Sequence, residues 1–301
     1  MKYGFPKNLI EALVCQKDGG LLAIREEKDS DTDKIHEGAL VCKDCETVYP
    51  VQNGIVNLLG NQSQLDDSLA QEIKARDVAA PQYNTKLQTR YEKEVPSTIK
   101  CLGNYSQKNI IEYGSGTGRI TQEIVKAAKK VLAIDFSYES LLFASKNIQS
   151  SDFGLVLADI TQLRTKNDYF DMALSTQCFE HIPNNQLREF HIKSVRDTLR
   201  SGGLFISSVY HHDMRRRLKK LSQEGTHGSG IYYYYYRAKE LSRLHEKFFT
   251  IEKIHPIDIT LPFEARFSFS PKLKGKTSRV CENIPILNSF GHLLLLKCKK
   301  E

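Results

Sequence analysis

The stretch IIEYGSGTGR, residues 110–119, decides the fold. An apolar run leads into the pattern Gly114-x-Gly116-x-Gly118, and the acidic Glu112 precedes the first glycine. Glycines at such positions let the backbone turn tightly and let a ligand approach without a Cβ in the way. A helix is predicted directly after the glycines, with its first N–H groups facing the same pocket. The stretch therefore predicts a strand, a ligand-binding loop and a helix.

Strand-like and helical segments alternate from residue 109 onward. Apolar runs such as NIIEYG and VLAIDF are separated by helical segments such as ITQEIVKAAKK. Alternation of this kind over about 100 residues is typical of a parallel sheet with helices on both faces. Two more strand-like runs, FFTIEKIHPI and GHLLLLKCKK, follow a longer insertion. The predicted fold is α/β with a Rossmann-like, doubly wound sheet.

Two acidic residues end the next two predicted strands. Asp135 ends VLAID, 21 residues after Gly114, and Asp159 ends LVLAD. The first carboxylate can accept hydrogen bonds from both ribose hydroxyls, and the second can receive an adenine amino group. Because the carboxyl ends of parallel strands meet at one edge of a sheet, the glycine loop and both acids are expected to converge on one crevice.

The spacing of the glycines separates two kinds of nucleotide site. Pyrophosphate binders usually carry Gly-x-Gly-x-x-Gly, whereas this loop resembles motif I of class I methyltransferases that depend on S-adenosylmethionine (SAM). FDMALSTQCFEHIP, residues 170–183, resembles the LEHIP-type fourth-strand motif of small-molecule methyltransferases. LRSGGLFISS, residues 199–208, resembles the turn into strand five, with Ser201 in place of proline. The resemblance implies a seven-stranded sheet whose last strand is antiparallel.

The resemblance also implies a set of residues that bind SAM and its product, S-adenosylhomocysteine. The implied residues are Glu112 ahead of the loop, Gly114, Gly116 and Gly118 at the methionine end, Asp135 at the ribose, Asp159 and Ile160 at the adenine, and Thr176 and Gln177 beside the methyl donor. His181 lies in the EHIP stretch, where a structural role and contact with the acceptor both stay open.

The segment of residues 209–241 is the most informative about the acceptor. It combines three histidines, a run of five tyrosines and the basic stretch RRRLKK. It lies between predicted strands five and six, where related methyltransferases often carry an acceptor-binding cap, so the resemblance implies a cap at about residues 210–240. His211 or His212 is the candidate general base for a hydroxyl acceptor.

Further residues are predicted to contact the acceptor. Successive side chains of a strand face opposite sides, so at most alternate tyrosines of the run can reach one ligand. Residues 67–80 have a helical composition that stops at Pro81, and the segment of residues 72–84 resembles the N-terminal helix that closes over SAM in related enzymes. The predicted acceptor-binding residues are Arg76, Tyr83, His181, Tyr210, Tyr232 and Tyr234.

The N-terminal segment contains most of a metal site. Cys42 and Cys45 stand at ligand spacing, and VCQKD upstream offers Cys15 and Asp18. Four such side chains can hold Zn²⁺ tetrahedrally, although a carboxylate in place of a thiolate weakens a soft-ligand site. Residues 9–59 resemble the zinc-ribbon-like domain of the methyltransferase-activator family. That resemblance leaves open whether the domain binds zinc or is degenerate and folds on its core alone.

The chain of 301 residues is predicted to hold three regions. They are a zinc-ribbon-like β domain at 1–60, a linker with lid helices at 61–108, and the SAM-binding domain at 109–301. Residues 201–301 carry 18 Lys and Arg against 9 Asp and Glu, a net charge of +9. Such a surplus favours an acidic acceptor, RNA or a membrane surface as the partner.

Other features exclude several classes of protein. No apolar run approaches the length of a membrane-spanning helix, and the N-terminus lacks the apolar segment of a signal peptide. Seven unevenly spaced cysteines argue against a disulfide framework. We therefore expect a cytoplasmic protein.

The sequence predicts a SAM-dependent methyltransferase that acts on a small molecule, at a hydroxyl oxygen. One alternative is an RNA methyltransferase whose N-terminal domain docks ribosomal or transfer RNA. A second is a non-catalytic SAM-binding partner subunit, which the intact glycine loop and both acids disfavour.

Overall fold

The computed structural model describes residues 2–60, 67–86, 88–150, 152–260, 264 and 269–301. The side chains of Ser68 and of residues 83–86 are outside this description, so the predicted lid residue Tyr83 lies outside the described residues. No helix among the described residues is long and apolar enough to cross a membrane.

The described residues form fourteen strands, eight α-helices and three short 3-10 turns. The strands are β1 (Phe5–Pro6), β2 (Leu22–Ser30), β3 (Lys34–Cys42), β4 (Val48–Gln52), β5 (Ile55–Asn57), β6 (Asn109–Tyr113), β7 (Lys130–Asp135), β8 (Phe153–Leu157), β9 (Phe170–Thr176), β10 (Leu199–Tyr210), β11 (Glu224–Thr226), β12 (Tyr232–Tyr234), β13 (Thr250–Ile259) and β14 (Gly291–Lys299). The helices are α1 (Asp67–Lys86), α2 (Gln88–Leu102), α3 (Thr121–Ile124), α4 (Tyr138–Asn147), α5 (Asn185–Thr198), α6 (Met214–Leu218), α7 (Ala238–His245) and α8 (Pro271–Cys281). The 3-10 turns are Lys7–Ala12, Phe179–His181 and Pro285–Phe290.

Seven strands form the central sheet in the order β8-β7-β6-β9-β10-β14-β13. The first five pair in parallel, and β14 runs antiparallel between β10 and β13. This is the predicted doubly wound sheet with an antiparallel last strand, so the fold prediction is confirmed. The strands β6 and β8 are buried along their whole length, as expected where helices cover both faces of a parallel sheet.

The helices divide between the two faces of the sheet. Leu241 of α7 belongs to the same core cluster as Phe205 of β10. Val95 of α2 packs in the other cluster, with Ile257 of β13. The helix α8 contacts α2, and its Gly275 passes so close that a Cβ would lie 2.4 Å from the Glu92 carbonyl oxygen. The helices α7 and α8 therefore lie on opposite faces.

The N-terminal strands extend the same sheet. The strand β5 pairs in parallel with β8, with Ile55 opposite Leu155. The packing is close, because a Cβ added to Gly154 of β8 would lie 2.8 Å from a ring carbon of Phe5 and 2.9 Å from a methyl group of Leu9. The small β region predicted at the N-terminus is present, and it shares one continuous sheet with the rest of the chain.

The first predicted lid helix is longer than expected. Its composition suggests an end at Pro81, but α1 continues through this proline to Lys86. A proline inside a helix removes one hydrogen bond to the carbonyl four residues earlier. Pro81 is exposed, so water can satisfy the carbonyl that the proline leaves without its N–H partner.

Candidate active site

The glycine loop lies at the carboxyl end of β6. Gly114, Gly116 and Gly118 all have positive φ, at 68°, 54° and 83°, a region that favours glycine. A Cβ at Gly114 would lie 2.3 Å from the Cys178 sulfur, so a larger residue does not fit. A Cβ at Gly116 would meet nothing within 4 Å. The loop thus presents open backbone at Gly116, where a ligand can approach.

Asp135 at the end of β7 is tied to this loop. Its Oδ2 accepts a hydrogen bond from the Gly116 N–H at 2.7 Å, and its Oδ1 accepts one from the Ser137 N–H at 2.9 Å. Burial raises the pKa of the Asp135 carboxyl, against the opposing effect of these two donors. The carboxylate therefore orders the loop and lines the crevice at once.

Asp159 follows β8 and faces the same crevice. Its Oδ1 accepts hydrogen bonds from the N–H and the hydroxyl of Thr161, both at 2.8 Å. Glu72 of α1 also lines the cavity. Burial raises the pKa of its carboxyl, against the opposing effect of Arg76, which donates a hydrogen bond to it at 3.2 Å. The helix α1 thus contributes to the lining of the crevice, and its role as a lid stays a prediction.

The crevice is a cavity of about 440 Å³, within the roughly 300–1,000 Å³ typical of ligand sites. Of the predicted cofactor residues, eight line it: Glu112, Gly114, Gly116, Asp135, Asp159, Ile160, Thr176 and Gln177. Gly118 is not among the lining residues; a Cβ there would lie 2.4 Å from a methyl carbon of Ile148. Gly118 therefore allows close packing against the end of α4.

SAM fits the chemistry of this lining. The exposed backbone at Gly116 and the two strand-end carboxylates suit the amino-acid and nucleoside parts of the cofactor. The aromatic Phe136 and the apolar Ile160 line the cavity beside those acids and suit an adenine ring. Phe136 was not predicted, although its place directly after Asp135 was a usable signal.

Glu112 lies beneath the loop. It is buried, and its Oε2 accepts a hydrogen bond from the Thr121 hydroxyl at 2.6 Å. Burial raises the pKa of the Glu112 carboxyl to about 7. At neutral pH the group is therefore close to half ionised, and a cation bound nearby would favour its charged form.

The cavity is also lined by Arg76, His181 and Tyr232. The His181 ring donates from Nδ1 to the Tyr232 carbonyl oxygen at 2.7 Å. Burial lowers the pKa of His181 to about 3, and the nearby Arg76 charge lowers it further. The ring is therefore neutral at physiological pH, with Nε2 as its hydrogen-bond acceptor.

Four other predicted residues lie apart from the cavity lining. His211 donates from Nδ1 to the Gly291 carbonyl at 2.8 Å, and His212 donates from Nε2 to the Leu221 carbonyl at 3.0 Å. Tyr210 and Tyr234 also fall outside the residues that line this cavity. The role of His211 or His212 as a base stays a prediction, which this placement does not favour.

A buried network below the methyl-donor end was not predicted. Glu94 of α2 accepts a hydrogen bond from the Ser208 hydroxyl at 2.8 Å, and also from Arg119 and Gln177. Gln177 has a positive φ of 50° and accepts a hydrogen bond from Arg90 at 2.9 Å. The network fixes Gln177 at the mouth of the cavity. Its members come from distant segments, so no local pattern could indicate it.

The four predicted metal ligands converge in the N-terminal region. One ligand atom each from Cys15, Asp18, Cys42 and Cys45 can be chosen so that all lie within 4.8 Å of one another. The Cys15 and Cys45 sulfurs are 3.6 Å apart, and the Cys42 sulfur is 3.4 Å from an Asp18 oxygen. A tetrahedral zinc site requires about 3.8 Å between sulfurs and about 3.5 Å between sulfur and oxygen. The donor set therefore fits Zn²⁺.

Two family models match the chain. The model of the methyltransferase domain matches residues 110–203, and the model of Trm112p-like proteins matches residues 7–54. The chain carries a methyltransferase domain preceded by a Trm112p-like domain. The order of the strands and the solved structures below show the class I methyltransferase fold, in agreement with the resemblance seen in the sequence.

Individual proteins agree with this assignment. Phosphoethanolamine N-methyltransferase 1 of Triticum aestivum is 25% identical over 42% of this chain and 27% of its own length. A SAM-dependent methyltransferase of Mesorhizobium loti has a TM-score of 0.51 and 19% identity, covering 68% of this chain and 96% of its own. A complex that contains the Trm112 methyltransferase activator of Haloferax volcanii gives a TM-score of 0.56 and 15% identity, over 75% of this chain and 97% of that chain.

The similarity covers only part of the curated relative. The chain spans about a quarter of the length of the wheat relative, 27%. The likeness to the two solved structures concerns the fold. The comparisons therefore show the fold of the methyltransferase domain, and the residues that line its cavity are the evidence on its acceptor.

Proposed function

We propose that this chain transfers a methyl group from SAM to a small polar acceptor held beside His181. One observation carries the proposal. The His181 ring lines the same cavity as the glycine loop and the end of β9, and the Tyr232 carbonyl fixes its Nδ1–H. Its Nε2 is therefore available to accept a hydrogen bond from an acceptor N–H or O–H.

The residues of the chain would act mainly by positioning. When bound, SAM supplies an electrophilic methyl group on a sulfonium, and Glu112, Asp135 and Asp159 are the residues we propose to hold it. Methyl transfer is an in-line displacement, so most of the acceleration can come from alignment of the two reactants. His181 Nε2 would turn the lone pair of the acceptor toward the crevice. With a pKa of about 3, His181 is a weak base, so we expect the released proton to reach water.

We propose nitrogen as the acceptor atom, in place of the hydroxyl oxygen predicted from the sequence. The wheat relative is named for methylation of an amine. The neutral His181 ring can accept a hydrogen bond from the N–H of an uncharged amine, which is the form that carries the attacking lone pair. Arg76 lines the cavity, and Arg90 donates to Gln177 at its mouth. Arg76 is paired with Glu72 at 3.2 Å, so Arg90 is the cation that would favour an amine that also carries an acidic group.

Methyl-labelled SAM tests the proposal with three acceptors: phosphoethanolamine, ethanolamine and a simple phenol. We expect transfer to an amine, with the phosphorylated one preferred. The variant His181→Ala should lower kcat/KM for the acceptor by about 100-fold, because the acceptor loses its alignment, and should leave the dissociation constant of SAM unchanged. His255→Ala, on the distant strand β13, is the control. Full activity of His181→Ala would contradict the role of this residue.

RNA is a second candidate acceptor, supported by two observations. Residues 7–54 match Trm112p-like proteins, and residues 201–301 carry a net charge of +9. An RNA methyltransferase would bind its substrate with an affinity that falls steeply with salt. An extract incubated with labelled SAM distinguishes the two acceptors, because RNase-sensitive label would favour RNA and label in small metabolites would favour the first proposal.

We propose that residues 1–60 are a built-in scaffold for the methyltransferase domain and hold a structural zinc ion. Support comes from the pairing of β5 with β8 and from the spacing of the four ligands. Gln16, next to Cys15, accepts a hydrogen bond from the Arg164 N–H at 2.8 Å and donates one to its carbonyl at 2.9 Å. Arg164 follows the Asp159 loop, so the scaffold would steady the adenine end of the crevice. A chain that lacks residues 1–60 and stays soluble and active would refute this role.

A further inference from the structure

Much of the positive charge of residues 201–301 lies on a surface outside the proposed methyl-transfer site. The surface consists of residues 214–221, residues 271–281 and residues 284–290, which we call the basic–apolar face. These three segments contain nine Lys and Arg and no Asp or Glu. The two neighbouring acids are buried: Asp213 pairs with Arg215, and Glu282 accepts a hydrogen bond from the Ser97 hydroxyl.

The three segments are joined by hydrogen bonds. The Arg215 guanidinium of α6 donates to the Phe290 carbonyl at 2.7 Å, at the end of the last 3-10 turn. The Ile284 N–H donates to the Cys281 carbonyl at 3.0 Å, so this turn follows α8 directly. The segments therefore belong to one continuous region of the surface.

Large aliphatic side chains stand exposed on this face. Leu218 is 73% exposed, Val280 is 64% exposed and Ile286 is 78% exposed. Three more aliphatic residues of the face are also exposed: Leu221, Leu273 and Ile284. Single exposed apolar residues are ordinary, but a group of six among cations marks a binding surface.

The cations stand beside these aliphatic side chains. Arg217, Lys219 and Lys220 flank Leu218 and are exposed. Lys272 and Lys276 of α8 are also exposed, while Gly275 and Ser278 form the buried side of the same helix. The helix α8 is thus packed on one side and presents lysines with aliphatic residues on the other.

The face lies at the edge of the sheet to which the crevice opens. The helix α6 follows the carboxyl end of β10, which is the end that carries the crevice in a parallel sheet. Tyr210 at that end pairs with Leu293, near the start of β14, so the turn before β14 lies at the same edge. A partner bound to the face would approach the acceptor side of the molecule.

We propose that the basic–apolar face binds the surface of a bilayer that contains anionic lipids. Lysines and arginines would contact the headgroups, and Leu218, Val280 and Ile286 would enter the boundary with the acyl chains. RNA fits less well, because single-stranded RNA is gripped by aromatic stacking and the exposed apolar residues of this face are aliphatic. The proposal does not depend on the acceptor of the methyl group.

Flotation of the full chain with lipid vesicles tests the proposal. Vesicles of phosphatidylcholine alone should not carry the protein, whereas vesicles that also contain phosphatidylglycerol should, with binding that weakens as salt increases. The double variant Lys272→Glu, Lys276→Glu should lower the partition constant at least about tenfold. The double variant Val280→Ser, Ile286→Ser should lower it at low salt without any change of charge.

A control variant distinguishes binding through the basic–apolar face from a general effect of the net charge of the protein. The double variant Lys239→Glu, Arg243→Glu makes the same change of charge on α7, on the opposite face of the sheet, and should bind vesicles as the wild type does. Thermal unfolding and SAM binding of each variant show that it is folded. Wild-type protein that does not float, or equal losses in the α7 control, would overturn the proposal. Loss of RNA binding in the face variants, with no vesicle binding by the wild type, would replace lipid by nucleic acid.

Discussion

The Asp135 carboxylate accepts a hydrogen bond from the Gly116 N–H at 2.7 Å, which links the end of β7 to the glycine loop. The same side chain lines the cavity. One residue therefore has two tasks: it holds the loop in its positive-φ conformation and offers oxygen atoms to a ligand. The two tasks can be separated by the choice of substitution.

Asp135→Ala removes both tasks, and we expect the dissociation constant of SAM to rise at least about 100-fold, since buried charged hydrogen bonds are lost. Asp135→Asn keeps an acceptor oxygen for the Gly116 N–H, so the dissociation constant of SAM should rise only about tenfold. Titration calorimetry measures both constants. Asp33→Ala, at an exposed acid, should bind SAM normally. Unchanged affinity in Asp135→Ala would show that SAM binds elsewhere.

The affinity for SAM should depend on pH through Glu112. Burial raises the pKa of this carboxyl to about 7, so it is mostly protonated at pH 6 and mostly ionised at pH 8. The ionised form attracts the cationic groups of SAM, so affinity should rise with pH, by about tenfold between these two values. Glu112→Gln should bind SAM with little pH dependence over the same range. A parallel pH dependence in this variant would assign the effect to another group.

The contact between the N-terminal strands and β8 can be tested at Gly154. A Cβ at this position would lie 2.8 Å from a Phe5 ring carbon, so Gly154→Ala forces the two layers apart. Overpacking of this kind costs about 1–3 kcal/mol, and we expect the melting temperature to fall by about 3 °C or more. Gly228→Ala is the matched control, because a Cβ there meets nothing within 4 Å. Equal melting temperatures for both variants would contradict the packing of Phe5 on β8.

The sequence predicts those features that local pattern determines. The glycine loop, Asp135 and Asp159 are each set by a strand end and a short spacing, so their convergence follows from the topology of a parallel sheet. The acceptor end was predicted less well. His211 and His212 end a strand as expected, but both rings bond main-chain carbonyls of other segments. The orientation of a side chain in an insertion depends on packing between distant segments, which no period in the sequence records.

Two further features could not be predicted from local sequence pattern: the pairing of the N-terminal strands with the central sheet, and the hydrogen bonds of Glu94. The strand β5 has only three residues, too few to show an alternation that would reveal its pairing with β8. Glu94 stands in a helix before the methyltransferase domain match and bonds Ser208, 114 residues later. Contacts of this separation are decided by tertiary packing, so the domain arrangement and the buried network both required the structure.

The proposed zinc site should hold its metal less tightly than a site with four cysteines. Thiolates are softer ligands than carboxylates, and the exposed Asp18 would supply the fourth position here. We expect Asp18→Cys to slow the transfer of zinc to a chelator, and Asp18→Ala to speed it. Metal analysis of the purified protein and a colorimetric chelator measure stoichiometry and rate. Equal rates in all three proteins would show that Asp18 is not a ligand.

The stability of the fold should depend on pH through Glu180. This residue is fully buried, and among the described residues neither carboxyl oxygen has a hydrogen-bond partner. Burial raises the pKa of Glu180 to about 8, above the roughly 4.3 of an exposed glutamate. Because the pKa of Glu180 is higher in the folded than in the unfolded protein, the protonated carboxyl stabilises the fold fully at a pH below the unfolded pKa. This stabilisation is lost as the pH rises through the folded pKa of about 8.

The variant Glu180→Gln should therefore match the wild type near pH 5 and exceed its melting temperature near pH 9, by about 3 °C or more. Thermal unfolding across this range measures the difference. Glu37→Gln, at a more exposed site on β3, should shift the curve little at either pH. If Glu180→Gln follows the wild type at pH 9, the carboxyl is already ionised in the folded protein, and a cation must lie close to it.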